Sequence, residues 1–347
     1  MEKKYYDGTK LLSLKDANGK QPEIYVSSTN RSAGKTTWFN RYFVKRFLQH
    51  GEKFLIEYRY QYELDDVADK FFSDIGRLFF KNDIMTAKRK ADGIYYELSL
   101  NEIPCGYAVA INAADNIKKL SHLMSDTKRI IFDEFQPETG KYCSNEINKF
   151  QSVHTSLARG NGEQVRYLPV YMVSNFVTLM NPYYIAWDIA DKLQSDTKYY
   201  RGNGVVVEQG FYESAANAQK ESGFNAAFSG SDYTRFSSEK IYLNDKMSFI
   251  EKMTGQNRYV CTIIVNNKQF SIREYPQYGI VYCSRSVDES YPVRYCVDTD
   301  DHNLNYILLA HSSDFLKVMR KFFDFGCFRF QDMQCKSAVF KLLSLTV

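Results

Sequence analysis

Residues 24–37 read Ile-Tyr-Val-Ser-Ser-Thr-Asn-Arg-Ser-Ala-Gly-Lys-Thr-Thr, an extended apolar run entering a polar loop that closes on Gly34-Lys35-Thr36. No other stretch limits the fold as tightly. The pattern predicts a strand, a phosphate-binding loop and the first turn of a helix. A loop that wraps backbone N–H groups around an anion, followed by a helix whose positive end faces that anion, holds a triphosphate with few side chains. The expected binding set is Thr29, Asn30, Arg31, Ser32, Ala33, Gly34, Lys35, Thr36 and Thr37. Lys35 is placed against the β and γ phosphates and the Thr36 hydroxyl on Mg²⁺. The usual spacing is Gly, four residues, then Gly-Lys-Ser/Thr, and Thr29 stands where the first Gly belongs. Thr29 therefore marks altered loop geometry more than a phosphate contact.

The helix pattern runs from Thr37 to Gln49, with Trp38, Tyr42, Phe43, Phe47 and Leu48 at helical spacing and Gly51 as a stop. Lys53–Tyr58 is a second strand, which completes a βαβ unit and calls for a parallel sheet. Val67–Phe80 reads as a helix, Gly93–Leu100 and Ile103–Ala110 as strands, and Ile117–Met124 as a short helix. The sheet resumes at Arg129-Ile-Ile-Phe-Asp-Glu-Phe135. A buried strand ending in two acids is the second feature of a nucleotide hydrolase. Asp133 is placed to hold Mg²⁺ and Glu134 to polarise the attacking water. Together with the loop, these acids make a hydrolysed nucleotide and Mg²⁺ the expected cofactors.

Asn145–Ala158 reads as a helix that closes on Arg159-Gly160-Asn161-Gly162. Arg159 admits two readings, a cation that caps the helix or an arginine finger that reaches the γ-phosphate of a neighbouring subunit. Val165–Val173 is a strand ending in Ser174-Asn175. Asn175 is either a γ-phosphate sensor at a strand end or a turn former. Pro182–Leu193 reads as a helix. A glycine-marked change of composition after residue 200 predicts a first domain over 1–200, a linker over 201–235 and a second domain over 236–347. The second domain is expected to be an antiparallel meander, Arg258–Val265, Lys268–Tyr275, Gly279–Cys283 and Val293–Val297, followed by a helix at Ser313–Phe323 and a mixed tail.

Composition narrows the class without naming a partner. With 44% hydrophobic and 25% charged residues the chain is an ordinary folded protein, and no uncharged apolar run is suited to a membrane. The charged N-terminus has no signal-peptide core, so the protein is expected to stay in the cytoplasm. Seven scattered cysteines without a C-x-x-C pair read as reduced thiols. Basic and acidic residues balance in both halves, 30 against 28 over residues 1–230 and 15 against 13 over 231–347, which permits a nucleic-acid partner without indicating one. The 27 Tyr and 25 Phe suit aromatic packing or a base-stacking surface.

The motifs Thr29-Asn-Arg-Ser-Ala-Gly-Lys-Thr36, Ile130-Ile-Phe-Asp-Glu-Phe135, Arg159 after its helix, and Ser174-Asn175 leading to Asn181-Pro182-Tyr183 resemble the DNA encapsidation ATPases of small podophages. That resemblance covers most of the chain and extends to the large terminase subunits. Arg31 matches an arginine inside the family's phosphate loop. The resemblance implies that the nucleotide is ATP. It also implies a P-loop NTPase fold of the ASCE type with a mostly parallel sheet, then a smaller α+β domain of RNase H-like fold that has lost its chemistry. The expected first strand of that domain, Arg258–Val265, carries no carboxylate. Asp298, Asp300 and Asp301 form a local acidic cluster, read mainly as a solvated turn.

The resemblance further implies a homo-oligomeric, pentameric ring at the portal vertex of a procapsid in the infected cell. Its partners there are the portal, a structural packaging RNA and double-stranded DNA. Two other classes stay open: a terminase-like enzyme whose second domain cuts DNA, and a nucleotide-gated DNA-binding adaptor with little turnover.

Overall fold

A computed structural model describes residues 5–159, 163–190, 192–193, 197–239, 242, 249–309, 313–343 and 345. The chain divides into two units, Met1–Ile189 with Leu193–Asn244, and Asp245–Val347 with Ala190–Lys192.

The first unit is built on a nine-stranded sheet. Its strands are β1 (Ile24–Thr29), β2 (Phe54–Tyr58), β3 (Met85–Lys90), β4 (Tyr95–Leu100), β5 (Ile103–Ala110), β6 (Arg129–Asp133), β7 (Val170–Asn175), β8 (Tyr199–Arg201) and β9 (Val205–Gly210). The order is β3-β4-β5-β2-β6-β7-β1-β9-β8. All neighbours from β5 to β9 pair in parallel, and the antiparallel pairs lie at the two edges. Helices α1 (Thr9–Leu12), α2 (Lys35–His50), α3 (Val67–Phe79), α4 (Ala114–Leu120), α5 (Glu146–Leu157), α6 (Pro182–Ala186), α7 (Glu213–Lys220), α8 (Gly223–Ala227) and α9 (Asp232–Ser238) complete the unit.

The central strands are apolar nearly throughout because helices cover both faces. On one face, Phe39 and Phe43 of α2 and Phe71 of α3 pack with Tyr25, Phe54, Ile131 and Tyr171 in one buried core. Successive strand residues point to opposite faces, so Phe132 turns away from Ile131. It meets Phe150 of α5 and Tyr183 of α6 there. This double anchoring fixes the carboxyl ends of β1, β6 and β7 relative to one another.

Several sequence expectations change. Residues 201–235, expected as a linker, belong to the first unit, so the division falls after Asn244. Gly204 (φ +70°) forms the β8–β9 hairpin turn, and the Val205–Val207 run is strand β9 beside β1. Glycine here serves strand geometry and not chain flexibility. The strand expected at 165–173 begins at Val170 and extends to Asn175. Helix α6 stops at Ala186, and Asp188 at φ +56° breaks the run expected to reach Leu193.

The second unit has a six-stranded sheet of β10 (Arg258–Val265), β11 (Lys268–Tyr275), β12 (Ile280–Ser284), β13 (Arg294–Cys296), β14 (Ile307–Leu308) and β15 (Phe328–Phe330). Helices α10 (Asp314–Asp324) and α11 (Met333–Leu343) accompany it. Its order is β14-β13-β10-β11-β12-β15. The meander holds for β10–β11–β12 only, with Asn266 and Asn267 both at positive φ in the first turn. β13 and β14 then add in parallel on the far side of β10, which makes the sheet mixed and not a four-stranded meander. Leu316 and Met319 of α10 and Val339 and Leu342 of α11 close its core over Ile263, Ile272 and Cys283.

Candidate nucleotide site

β1 delivers the loop at the carboxyl edge of the sheet, where open α/β sheets bind ligands. Thr29 ends the strand in register with Asn175 on one side and Gly210 on the other. It is not among the positive-φ residues, so its conformation does not call for glycine. A Cβ at Gly210 would lie 3.2 Å from the Tyr212 ring and 3.4 Å from the Thr29 methyl, so it is the Tyr212 ring that comes closest to this glycine.

Asn30 is buried and its amide is committed to the scaffold, donating to the Tyr212 carbonyl (3.1 Å) and accepting from the Tyr212 N–H (2.9 Å). The Ala33 carbonyl accepts from Tyr6 N–H at 2.8 Å, and the Ser32 hydroxyl accepts from Gln219 at 2.9 Å. Gly34, at φ +88°, turns the chain into α2. α2 has no side-chain cap at its start, which leaves first-turn N–H groups for an anion. Thr37 follows in that turn, half-buried.

Lys35 is only 7% exposed, and its ammonium donates to Asn175 Oδ1 at 2.7 Å. Burial pushes its pKa down to about 8 against the opposing pull of Asp133 and Glu134. The Thr36 hydroxyl donates to Asp133 Oδ1 at 3.4 Å. Loss of solvation pushes Asp133 up to about 6, with Lys35 the main opposing influence. A hydroxyl and a carboxylate side by side are hard oxygen donors of the kind that would suit Mg²⁺. Lys35, Thr36 and Asp133 thus converge although β7 separates β1 from β6, and Asn175 at the end of β7 fills the gap.

Glu134 is exposed and left-handed (φ +54°), a conformation that costs a non-glycine residue about 1–2 kcal/mol. Two bonds hold it there. Its N–H donates to Asp133 Oδ1 (2.9 Å), and its carbonyl accepts from Arg59 Nη1 (3.3 Å). Arg59, just past β2, is buried and also donates to the Phe135 carbonyl at 2.8 Å. Its fork meets both oxygens of Glu146 at 2.8 and 3.1 Å, and Glu146 accepts in addition from Tyr183 and from Cys143 N–H. The sequence reading did not include Arg59 and Glu146. A polar residue immediately past a parallel strand was the available signal for Arg59.

Arg31 is half-exposed and pairs with Glu138 at 3.0 Å and with the Tyr233 hydroxyl. Glu138 also accepts from Asn175 Nδ2 (3.2 Å) and from Tyr233 (3.2 Å). Neither Glu138 nor Tyr233 carried a sequence signal.

Arg159 lies at the other end of α5 from Glu146. Twelve helical residues span roughly 18 Å, which sets Arg159 about that far from Glu146. The helix end is satisfied by Arg166, which donates from Nη2 to the Leu157 carbonyl (2.9 Å) and from its N–H to the Ala158 carbonyl (2.9 Å). The bonds to the Leu157 and Ala158 carbonyls thus come from Arg166. Arg159 borders an exposed cavity of about 710 Å³ with Lys118, His122 and Gln151. Gly160, Asn161 and Gly162 lie outside the described residues.

In the second unit Asp298 is paired with Lys341, and Asp301 accepts from Asn267 N–H at 2.7 Å, so the acidic cluster serves turn and ion-pair roles. Among the described residues no three His, Cys, Asp or Glu side chains converge as a metal site. No helix among them is long and apolar enough to cross a membrane.

The podovirus DNA encapsidation protein (Gp16) family matches the chain over residues 1–346. The chain belongs to that family. Its function is viral genome packaging. The DNA packaging protein of Bacillus phage phi29 is 23% identical over 316 residues, 90% of either chain, and that of Bacillus phage B103 is 23% identical over 285 residues, 81% of this chain and 83% of the other. In fold, the family member resembles a chain of the bacteriophage Phi-29 viral genome packaging motor assembly, with a TM-score of 0.72, 21% identity and 99% of both chains covered. It also resembles a chain of the Phi-28 gp11 DNA packaging motor, at 0.60, 14% identity and 99% and 98% coverage.

Proposed function

We propose that this encapsidation protein hydrolyses ATP and couples hydrolysis to the movement of double-stranded DNA into a procapsid. The observation that carries the reading is the convergence of Lys35, Thr36 and Asp133 at the carboxyl edge of β1 and β6, with Asn175 between them. Lys35 neutralises the β and γ phosphates. Thr36 and Asp133 would hold Mg²⁺, which would offset the charge of the phosphates. Glu134 orients the attacking water, and Arg59 keeps it in place. Asn175 and Arg31 meet the γ-phosphate.

Arg159 acts in trans, supported by its place at the end of α5 remote from Glu146 and beside an exposed cavity. That role calls for a homo-oligomeric ring, which we take as pentameric. The ring is proposed to work in the cytoplasm of the infected cell, at the portal vertex, with the portal and a packaging RNA as partners. The second unit is proposed to serve without nuclease chemistry, a reading supported by the carboxylate-free β10 and the engaged Asp298 and Asp301.

The test is Mg²⁺-dependent ATP hydrolysis with and without double-stranded DNA, alongside Glu134→Gln. DNA should stimulate turnover, and the variant should bind ATP while losing about 10²- to 10⁴-fold in rate. Absence of hydrolysis under both conditions, or a Glu134→Gln rate equal to wild type, would refute the reading.

A further inference from the structure

Glu138 has no part in the nucleotide reading, yet it sits at the centre of the loop's polar contacts. Its Oε1 accepts from Arg31 Nη1 (3.0 Å) and Asn175 Nδ2 (3.2 Å), and its Oε2 accepts from the Tyr233 hydroxyl (3.2 Å). Asn175 in turn accepts from Lys35, so an ammonium stands one side chain away. A guanidinium, an amide N–H and a phenol converging beside a lysine at the end of a phosphate loop form the donor set suited to a terminal phosphate oxygen cluster. Here a carboxylate fills it. A carboxylate and a γ-phosphate cannot share those donors, since like charges at that range repel and each needs the same protons.

We propose that Glu138 competes with the γ-phosphate for these donors and is displaced by a nucleoside triphosphate but not by a diphosphate. Tyr233, released from Glu138, then donates to the γ-phosphate. Glu138 and Tyr233 thereby set the preference between ATP and ADP. This rests on the nucleotide reading of the loop. It adds a consequence for turnover. When the γ-phosphate departs, Glu138 returns to Arg31 and Asn175 and favours the diphosphate state from which product leaves. The donors come from three separate elements, the loop, the end of β7 and α9, so the exchange also changes what holds α9 against the loop.

The experiment uses the full chain with Mg²⁺ and titrates the non-hydrolysable triphosphate AMP-PNP and ADP against wild type, Glu138→Ala, Glu138→Gln, Tyr233→Phe and Lys35→Ala. Glu138 and Tyr233 are both partly exposed, at 33% (side chain) and 44%, so these changes leave the core intact. Removing a partly exposed ion pair changes affinity by about two- to fivefold. Glu138→Ala should tighten AMP-PNP by that factor and leave ADP within about twofold, with Glu138→Gln moving the same way. Tyr233→Phe should weaken AMP-PNP about two- to tenfold, with ADP again nearly constant. Equal shifts for AMP-PNP and ADP, or weaker AMP-PNP binding in Glu138→Ala, would overturn the proposal. If wild type binds neither nucleotide, or Lys35→Ala binds both as wild type does, the nucleotide reading itself falls and this inference with it.

Discussion

Replacing Arg59 by Lys separates the placement of Glu134 from the binding of nucleotide. Arg59 makes four bonds, two to Glu146 and one each to the carbonyls of Glu134 and Phe135. A lysine keeps the charge but has a single nitrogen, which cannot serve a carboxylate fork and two carbonyls together. With its carbonyl released, Glu134 can relax from the left-handed conformation, a gain of about 1–2 kcal/mol for a non-glycine residue. If the catalytic geometry is the one given up, kcat falls by about 5- to 30-fold at 1.36 kcal/mol per decade. Nucleotide affinity should stay near wild type, because Lys35 and Thr36 make no bond to Arg59.

The assay is ATP turnover at saturating ATP with double-stranded DNA, paired with nucleotide titration and urea denaturation. A control guards against a simple loss of stability. Arg59→Met combined with Glu146→Leu removes both buried charges, an exchange that often leaves stability unchanged or improved, although Tyr183 loses its acceptor. That double variant should remain slow even where it is stable. A wild-type kcat in Arg59→Lys, or recovery of kcat along with stability in the double variant, would refute the positioning argument.

Mixing Arg159→Ala subunits with Lys35→Ala subunits should restore part of the ATPase activity, since each ring then contains interfaces with one intact loop and one intact arginine; no recovery at any ratio would remove the trans role. Glu57 is buried, and among the described residues neither of its carboxylate oxygens has a partner. Burial first, and Glu146 second, push it up to about 8. Its folded pKa is raised above the unfolded value, so the stability it contributes is present below about pH 4.5 and is lost as pH rises to about 8, at roughly 1.4 kcal/mol per pH unit within that window. Glu57→Gln should flatten this slope, measured as urea stability at pH 5, 7 and 9, and an unchanged slope would contradict the assignment.

Much of the site was legible because its signals are local. The apolar run into Gly34-Lys35-Thr36 and the three apolar residues before Asp133-Glu134 are written in consecutive positions, and both formed where expected. Val205–Val207 is a strand pattern, yet the glycines around it suggest a linker, because glycine serves turns and linkers alike; here Gly204 turns the β8–β9 hairpin and Gly210 lies under the Tyr212 ring.

Local sequence therefore determined a strand–loop–helix unit around Gly34-Lys35-Thr36 and an acidic strand end at Asp133-Glu134. The tertiary structure decided which groups surround them. The strand order places β7 between β1 and β6, bringing Asn175 to Lys35 across 140 positions of sequence. The same packing brings Arg59 to Glu146 and draws Arg31, Glu138 and Tyr233 into one network. Such contacts depend on sheet order and on helices covering both faces, and neither is encoded in the periodicity of any single segment.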